Sequence, residues 1–273
     1  MRTVTWPDGR MIPALGQGTW KMGEDARFRP GEVASLRAGL DAGLTLIDTA
    51  EMYAEGGAEE VVADAIAGRR DEVFLVSKVC PQNASASRLP DALARSLKRL
   101  KTDVLDCYLL HWRGSVPFSD TAETMQRMRD AGHIRSWGVS NLDLDDMEEL
   151  GRADCVTDQV LLHLGERGPE FDLMPWMAAR AMPLMAYSPL GQGPLLRKPV
   201  LREVADRHGA TPAQVALAWC IEKPGVIAIP KTSSVDRIRQ NAGALQLSLT
   251  EADHATLDAA FPPPRRARPL AML

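Results

Sequence analysis

An aspartate and a tyrosine stand five residues apart, directly after a short apolar run. The run covers residues 44–47, the carboxylate is Asp48 and the phenol is Tyr53. Such a run is typical of a buried strand, and barrel enzymes keep their chemistry on polar groups at strand ends. Later apolar runs also end in polar residues, so we interpret all of these positions as candidates for one site. They are Asp48, Lys78, His111, Ser140 with Asn141, Gln159, Tyr187 and Lys231.

Four of the candidates suit proton transfer. A phenol with a pKa of about 10 is a poor acid at neutral pH, and a neighbouring cation lowers that pKa. Lys78 can supply the cation, and Asp48 can hold it protonated. Tyr53 then becomes a usable general acid, and His111 can orient the same substrate oxygen by a hydrogen bond. The set suits protonation of an oxygen that becomes an alcohol. A lone strand-end histidine is commonly structural, so a role for His111 in the site is favoured only because other strands also end in polar residues.

The remaining strand-end groups suit a cofactor. Ser140, Asn141 and Gln159 offer the hydroxyl and amide groups that a carboxamide needs. Tyr187 offers a flat aromatic face for stacking. These positions therefore predict a site for a nicotinamide ring.

Two loops in the last third of the chain suit phosphate binding. Gly191 and Gly193 permit close approach of the backbone, and Lys231 begins a stretch with hydroxyl groups and a helix start, with Arg237 one turn on. Loops after the seventh and eighth strands of a barrel often bind phosphate. The alternative is a serine-capped surface helix with solvated basic residues. The adjacent glycine loop favours the phosphate site.

The elements that would position these residues alternate as strand and helix. We predict eight strands, most of them separated by a helix, at residues 14–20, 44–48, 73–78, 104–111, 134–140, a run ending near 159, 182–187 and 226–230. This alternation implies parallel pairing with right-handed crossovers, and eight parallel strands close into a barrel. An open sheet is less favoured, because Gly16 and Gly18 lack the third glycine of a dinucleotide fingerprint.

The predicted fold class is therefore α/β, a (β/α)8 TIM barrel in one domain over residues 1–273. Residues 1–13 alternate around a Pro-Asp-Gly turn and predict an N-terminal β-hairpin that plugs the barrel floor. Three prolines from Pro262 end the last helix, which leaves residues 262–273 as a C-terminal tail.

Composition disfavours several classes of protein. The 273 residues fit one barrel of about 250 residues, and the net charge of -4 disfavours nucleic-acid binding, which needs a basic face. No apolar run approaches the roughly 18 residues of a membrane helix, and the start has no signal core, so we expect no membrane association and a cytoplasmic location. Four scattered cysteines, and five histidines without an HxH or HExxH pair, predict no metal site.

The motifs resemble the aldo-keto reductase superfamily, and in particular bacterial members that reduce methylglyoxal and similar small aldehydes. The resemblance spans most of the chain and rests on residues 16–20, 48–53, 77–78, 109–112, 137–141, 158–159, 186–191 and 229–231. It implies an NADPH-dependent reductase of small aldehydes or ketones that needs no metal. Hydride would pass from the nicotinamide to the carbonyl carbon, and Tyr53 would protonate the oxygen. We expect a monomer.

The resemblance also implies a role for each matching residue. The catalytic group would be Asp48, Tyr53, Lys78 and His111. The cofactor-binding group would be Gly18, Thr19, Trp20, Ser140, Asn141, Gln159, Tyr187, Ser188, Leu190, Gly191, Lys231, Thr232, Ser234, Arg237, Gln240 and Asn241. Within it, Lys231, Thr232, Ser234 and Arg237 would meet the adenosine 2′-phosphate. Trp20 and Trp112 would wall the substrate pocket.

Three segments depart from the family pattern. Residues 54–59 replace the usual Gly-Asn-Glu after the tyrosine, and residues 162–164 replace the usual aromatic residue and proline after the sixth strand, so that His163 would take the place of an apolar wall. The short tail is expected to contribute little to substrate choice. A second hypothesis is a nucleotide-sensing or structural protein that kept the fold and lost catalysis. The presence of all four catalytic groups disfavours it. A metal-dependent hydrolase ranks third.

Overall fold

The structure is a computed structural model that describes residues 1–273. The chain begins with a two-stranded antiparallel hairpin, β1 (Thr3–Thr5) and β2 (Met11–Pro13). Eight parallel strands follow: β3 (Gln17–Gly18), β4 (Leu46–Asp48), β5 (Phe74–Val79), β6 (Cys107–Leu110), β7 (Trp137–Ser140), β8 (Cys155–Leu161), β9 (Leu184–Tyr187) and β10 (Val226–Ile229).

Ten α-helices surround the strands. They are α1 (Arg29–Asp41), α2 (Gly57–Ile66), α3 (Leu89–Leu100), α4 (Phe118–Asp130), α5 (Leu144–Leu150), α6 (Leu173–Ala178), α7 (Pro199–Arg207), α8 (Pro212–Ile221), α9 (Val235–Ala242) and α10 (Glu251–Ala260). None of them is both long and apolar enough to cross a membrane.

The sheet closes on itself. Each strand from β3 to β10 pairs in parallel with the next one along the chain. The first and last strands meet through hydrogen bonds from Gly16 N to Ala228 O at 2.8 Å and from Gly18 N to Pro230 O at 3.0 Å. The predicted (β/α)8 barrel with an N-terminal hairpin is confirmed, and the open sheet is not observed.

Local sequence signals explain the helix ends. Pro212 occupies the first turn of α8, where its missing N–H costs nothing, and Thr211 and Gln214 form a capping box. Thr250 and Asp253 cap α10 in the same way. Gly43, at φ 84°, follows α1 in the left-handed region that glycine tolerates. The predicted stops and starts therefore coincide with the observed ones to within a few residues.

Most strands differ from their predicted bounds by one to three residues, and β6 and β8 show the cause. β6 starts at Cys107, three residues after the predicted start, because residue 105 only bridges to Ile134 outside the strand. β8 runs two residues past Gln159, to Leu161, because Leu161 stays in register with Tyr187 of β9. Pairing with a neighbouring strand, which the periodicity does not show, sets these ends.

The hairpin fills the amino-terminal end of the barrel. Trp6 is 1% exposed and belongs with Ile12 to a cluster of barrel-interior side chains that includes Leu46 and Phe74. Its ring meets Phe74 edge to face at 4.9 Å, and its indole N–H donates to Ser136 Oγ at 3.3 Å. The floor of the barrel is therefore packed, and the carboxyl ends of the strands form the open side.

Replacing this indole tests the contribution of the floor to stability. Trp6→Ala removes a fully buried aromatic ring, so we expect the free energy of unfolding to fall by about 3–5 kcal/mol. Met11→Ala on the same hairpin is the control, because Met11 is 60% exposed and its loss leaves no cavity. Urea unfolding followed by fluorescence and circular dichroism measures both. Equal effects of the two substitutions would contradict a packed floor.

Candidate active site

A cavity of about 350 Å³ opens at the carboxyl ends of the strands. Thirteen of its 17 lining residues are candidates named in the sequence analysis, either as polar strand ends or from the family resemblance. The lining consists of Gly18, Thr19, Trp20, Asp48, Met52, Tyr53, His111, Trp112, Ser140, Asn141, Gln159, Tyr187, Ser188, Ile229, Lys231, Met272 and Leu273. Residues far apart in the sequence therefore share one rim, as parallel strands require.

Lys78 is fully buried and lies behind the cavity lining, in contact with the lining residues Asp48 and Tyr53. Its ammonium donates to Asp48 Oδ2 at 2.8 Å, to the Thr49 carbonyl at 2.8 Å and to Tyr53 Oη at 3.2 Å. These three acceptors use all three donors of the ammonium group. The predicted association of carboxylate, ammonium and phenol is present in the structure.

The pKa of Tyr53 moves in the opposite direction to the one expected from the sequence. Burial of the phenol raises it, and the positive charge of Lys78 lowers it by less, so the net shift is upward. Burial alone would lower the pKa of Lys78, but Asp48 and then Tyr53 outweigh burial and raise it. Tyr53 is therefore held as the neutral phenol and Lys78 as the cation.

His111 is neutral. Burial first, and Lys78 second, lower the pKa of its imidazole to about 2. Its Nδ1 is buried without a hydrogen-bond partner, which leaves Nε2 as the nitrogen for the cavity. The ring is edge-on to Tyr53 at 5.8 Å between centroids, and the tautomer with its proton on Nε2 presents a donor there. The imidazole can therefore donate a hydrogen bond to an oxygen placed beside the phenol.

Gln159 connects the two predicted groups of residues. Its Nε2 donates to Asp48 Oδ1 at 2.8 Å, so the carboxylate that holds Lys78 is itself held by an amide on the opposite strand. The sequence did not indicate this contact, because β4 and β8 lie 111 positions apart along the chain. Gln159 thus lies in the carboxylate–ammonium network and in the lining of the cavity.

Asn141 connects Tyr187 to His111. It has a left-handed backbone, with φ 60°, which asparagine tolerates better than most residues. Its Nδ2 donates to the His111 carbonyl at 3.1 Å, and its Oδ1 accepts from the Tyr187 hydroxyl at 2.9 Å. Ser140 Oγ donates to the Gln159 carbonyl at 2.8 Å. The side chains predicted to meet a carboxamide are thus fixed in place by one another.

Several predicted cofactor residues lie outside the cavity lining. They are Leu190, Gly191, Thr232, Ser234, Arg237, Gln240 and Asn241. Ser234 caps α9, and Thr232 Oγ1 accepts from the Ser234 N–H at 3.1 Å, so both hydroxyls have structural partners. Arg237 and Gln240 are exposed, and Asn241 is buried. Their roles remain predictions.

Four lining residues were not predicted. Met52 precedes Tyr53 and Ile229 ends β10, and both are apolar, so the pattern of polar strand ends does not include them. Met272 and Leu273 come from the tail, which returns to the mouth of the cavity. The tail therefore contributes to the pocket, contrary to the expectation from its length. No local pattern in the sequence signals such a long-range contact.

Fold and site together define a (β/α)8-barrel enzyme with a tyrosine, a lysine, an aspartate and a histidine gathered on its rim. No three histidine, cysteine, aspartate or glutamate side chains form a group that could hold a metal ion. The family model described as the aldo/keto reductase family matches residues 14–261. The chain therefore belongs to the aldo/keto reductase family.

Known members of the family are similar over nearly their whole length. The methylglyoxal reductase YeaE of Escherichia coli is 52% identical over 271 residues, covering 96% of this chain and 95% of the relative. The glyoxal reductase of Bacillus subtilis is 33% identical over 264 residues, covering 94% and 92%. A crystal structure of an aldo/keto reductase from Klebsiella pneumoniae in complex with NADP and acetate superposes with a TM-score of 0.97, at 50% identity and 99% coverage of both chains.

One buried carboxyl beside the site is unpaired. Neither oxygen of Asp158 has a hydrogen-bond partner, although the N–H groups of Leu142 and Gln159 face it. Burial, with smaller contributions from Asp146 and Asp143, raises its pKa well above the ordinary value. In the unfolded chain this carboxyl ionises near pH 4. Above that pH the folded state keeps a proton that the unfolded state releases, so stability falls as the pH rises.

Asp158→Asn should remove this pH-dependent penalty. At pH 7 we expect the variant to melt above the parent, by roughly 2–4 °C for each kcal/mol of relief. The difference should shrink as the pH approaches 4, where the unfolded state of the parent also begins to bind this proton. Asp145→Asn, at an exposed aspartate in α5, is the control. Thermal melts from pH 4 to 8 measure both, and a difference independent of pH would contradict a neutral Asp158.

Proposed function

We propose that this oxidoreductase uses NADPH to reduce small aldehydes and ketones, including 2-oxoaldehydes such as methylglyoxal, with Tyr53 as the general acid. The observation that carries the proposal is the contact of 3.2 Å between Tyr53 Oη and the buried ammonium of Lys78. A cation there stabilises the phenolate that remains after the phenol has given its proton away. Similarity to methylglyoxal and glyoxal reductases supports the substrate class.

The cavity fits a nicotinamide cofactor. Gln159 and Asn141 present amide groups to it, and Tyr187 lines the same wall with its aromatic ring. In the loop after β9, Gly193 is left-handed at φ 101° and no heavy atom lies within 4 Å of its bare face, so a phosphate can approach the backbone closely. Lys231 adds a cation at the cavity wall. The similar Klebsiella pneumoniae proteins, crystallised with NADP and with NADPH, support this assignment.

When bound, NADPH supplies a hydride to the carbonyl carbon of the substrate. Tyr53 Oη donates its proton to the carbonyl oxygen, and neutral His111 donates a hydrogen bond from Nε2 to the same oxygen. Lys78 stays protonated beside the phenolate because Asp48 holds its charge. The two donors and the cation act where negative charge develops on the oxygen, which is the main source of catalysis in such sites.

The walls of the pocket limit the substrate by shape and polarity. Trp20, Trp112, Met52 and Leu273 surround the space beside Tyr53 with apolar surface. Apolar walls favour carbonyl compounds whose substituents are small and apolar. Small aldehydes and 2-oxoaldehydes fit this description.

Tyr53→Phe tests the acid. Without the hydroxyl, the carbonyl oxygen loses its proton donor, and we expect kcat to fall by about 10²–10⁴ while NADPH still binds. Tyr108→Phe is the matched control, because Tyr108 is buried in β6 and its hydroxyl has no partner. Steady-state reduction of methylglyoxal and titration with NADPH measure the two effects. Normal turnover by Tyr53→Phe would remove Tyr53 as the acid. NADPH binding by the parent without turnover of any carbonyl would favour a nucleotide-sensing protein.

Lys231→Met and Arg237→Met test the preference for NADPH. Each charge-assisted contact with a 2′-phosphate is worth about 1.5–3 kcal/mol, so each variant should bind NADPH about tenfold or more weakly. Affinity for NADH, which lacks that phosphate, should stay within about twofold of the parent. Arg239→Met, at another exposed arginine of α9, is the control. Equal losses of affinity for NADPH and NADH would show that the two cations do not contact the 2′-phosphate.

A further inference from the structure

The segment directly after Tyr53 has an unusual backbone. Ala54, Glu55 and Gly56 have φ angles of 50°, 54° and 93°, so three successive residues are left-handed. We call this segment the left-handed turn. Only glycine enters this region without a steric penalty from its Cβ, and neither alanine nor glutamate is among the residues that relieve it. Contacts outside the turn must therefore hold it.

A buried bridge ties the left-handed turn to β5. Arg99 packs on the bare face of Gly56, where any side chain would overlap its guanidinium group. Arg99 Nε donates to Glu59 Oε2 at 2.6 Å, and Glu59 Oε1 accepts from Ser77 Oγ at 2.6 Å. Glu59 and Ser77 have no exposed surface. Since Ser77 directly precedes Lys78, the bridge connects the segment after the phenol to the strand that carries the ammonium.

The turn is also confined on its other side. The backbone of Gly57 abuts Gly23, in the loop after β3 that carries Trp20, so that a Cβ on Gly57 would lie 2.9 Å from Gly23 O. The Tyr53 N–H donates to the Ala50 carbonyl at 3.1 Å. The turn therefore lies between Tyr53, in a local hydrogen-bonded turn, and Gly57, which packs against a neighbouring loop, so a change in its backbone would be passed on to Tyr53.

We propose that the left-handed turn, held by Arg99, Glu59 and Ser77, is a positioning element that sets the approach of Tyr53 Oη to Lys78 Nζ. The inference rests on the proposed function, in which Tyr53 is the acid. Strained backbone at a functional site persists only where the surroundings over-determine it, which the buried bridge does here. None of residues 54–56 lines the cavity, so the turn would act through the position of the phenol.

The double variant Ala54→Gly with Glu55→Gly tests the proposal. Glycine removes the steric penalty, so the melting temperature should match or exceed that of the parent. The freed backbone should let the phenol move away from the ammonium, and we expect kcat for carbonyl reduction to fall by about tenfold with NADPH affinity unchanged. Ala181→Gly is the matched control, because Ala181 is an exposed, left-handed alanine at φ 52° between α6 and β9, away from the rim. It should gain stability without losing kcat.

The pH profile separates positioning from a purely structural role. The reverse reaction, oxidation of an alcohol, needs the phenolate, which Lys78 stabilises. When the phenol lies farther from Lys78, the pH dependence of alcohol oxidation should shift to higher pH. Arg99→Lys, which keeps the charge beside Glu59 but loses the contact with Gly56, should show the same loss of kcat and the same shift without a gain in melting temperature.

Three results would overturn the proposal. The first is a kcat of the double variant within about twofold of the parent. The second is a loss of kcat in the double variant without the pH shift. The third is a melting temperature of the double variant below that of the parent, which would show that the turn is not strained. The Tyr53→Phe result separates this failure from failure of the proposed function. If Tyr53→Phe is inactive and the double variant is normal, Tyr53 remains the acid and only its positioning by the turn is wrong.

Discussion

The buried ion pair between Lys78 and Asp48 is the interaction on which the site depends. Both side chains are almost completely removed from water, which costs several kcal/mol for each charge unless it is paired and hydrogen-bonded. The ammonium meets this condition with three acceptors, and one of them is the hydroxyl of Tyr53. The charge that the fold must satisfy is therefore placed against the atom that would lose a proton. In the proposed reaction, the same contact that makes the burial tolerable stabilises the phenolate.

Closure of the barrel is what makes this network complete. Parallel pairing brings the ends of β4 and β5 together, but Gln159 on β8 reaches Asp48 from the other side of the rim. An open sheet would place these strands four positions apart in a row, out of reach of each other. Closure in turn depends on Gly18, since a Cβ there would lie 2.8 Å from the Ile229 carbonyl. Gly18 thus allows the first and last strands to pair, and it also lines the cavity.

Much of the architecture could be predicted because each element carries a local signal. Apolar runs marked the strands, and the polar residues that ended them lie on one rim. The upward pKa shift of Tyr53 could not be predicted, because it is the balance of burial against one cation at a distance that only the fold sets. Met272 and Leu273 reach the cavity through a tail without periodicity. The left-handed backbone at Ala54 and Glu55 also could not be predicted, because neither residue type favours it and tertiary contacts impose it.

The protonation states of the site favour one direction of the proposed reaction. Burial keeps the Tyr53 phenol neutral through the neutral range, so the form that can donate a proton to a carbonyl oxygen is the dominant one. Oxidation of an alcohol needs the phenolate, which forms only at higher pH. Neutral His111 adds to this bias, because it donates a hydrogen bond to an oxygen without adding a second cation that would favour the phenolate. Burial raises the pKa of Tyr53 and so makes it a weaker acid, but for the same reason the phenol keeps the proton that reduction of a carbonyl consumes.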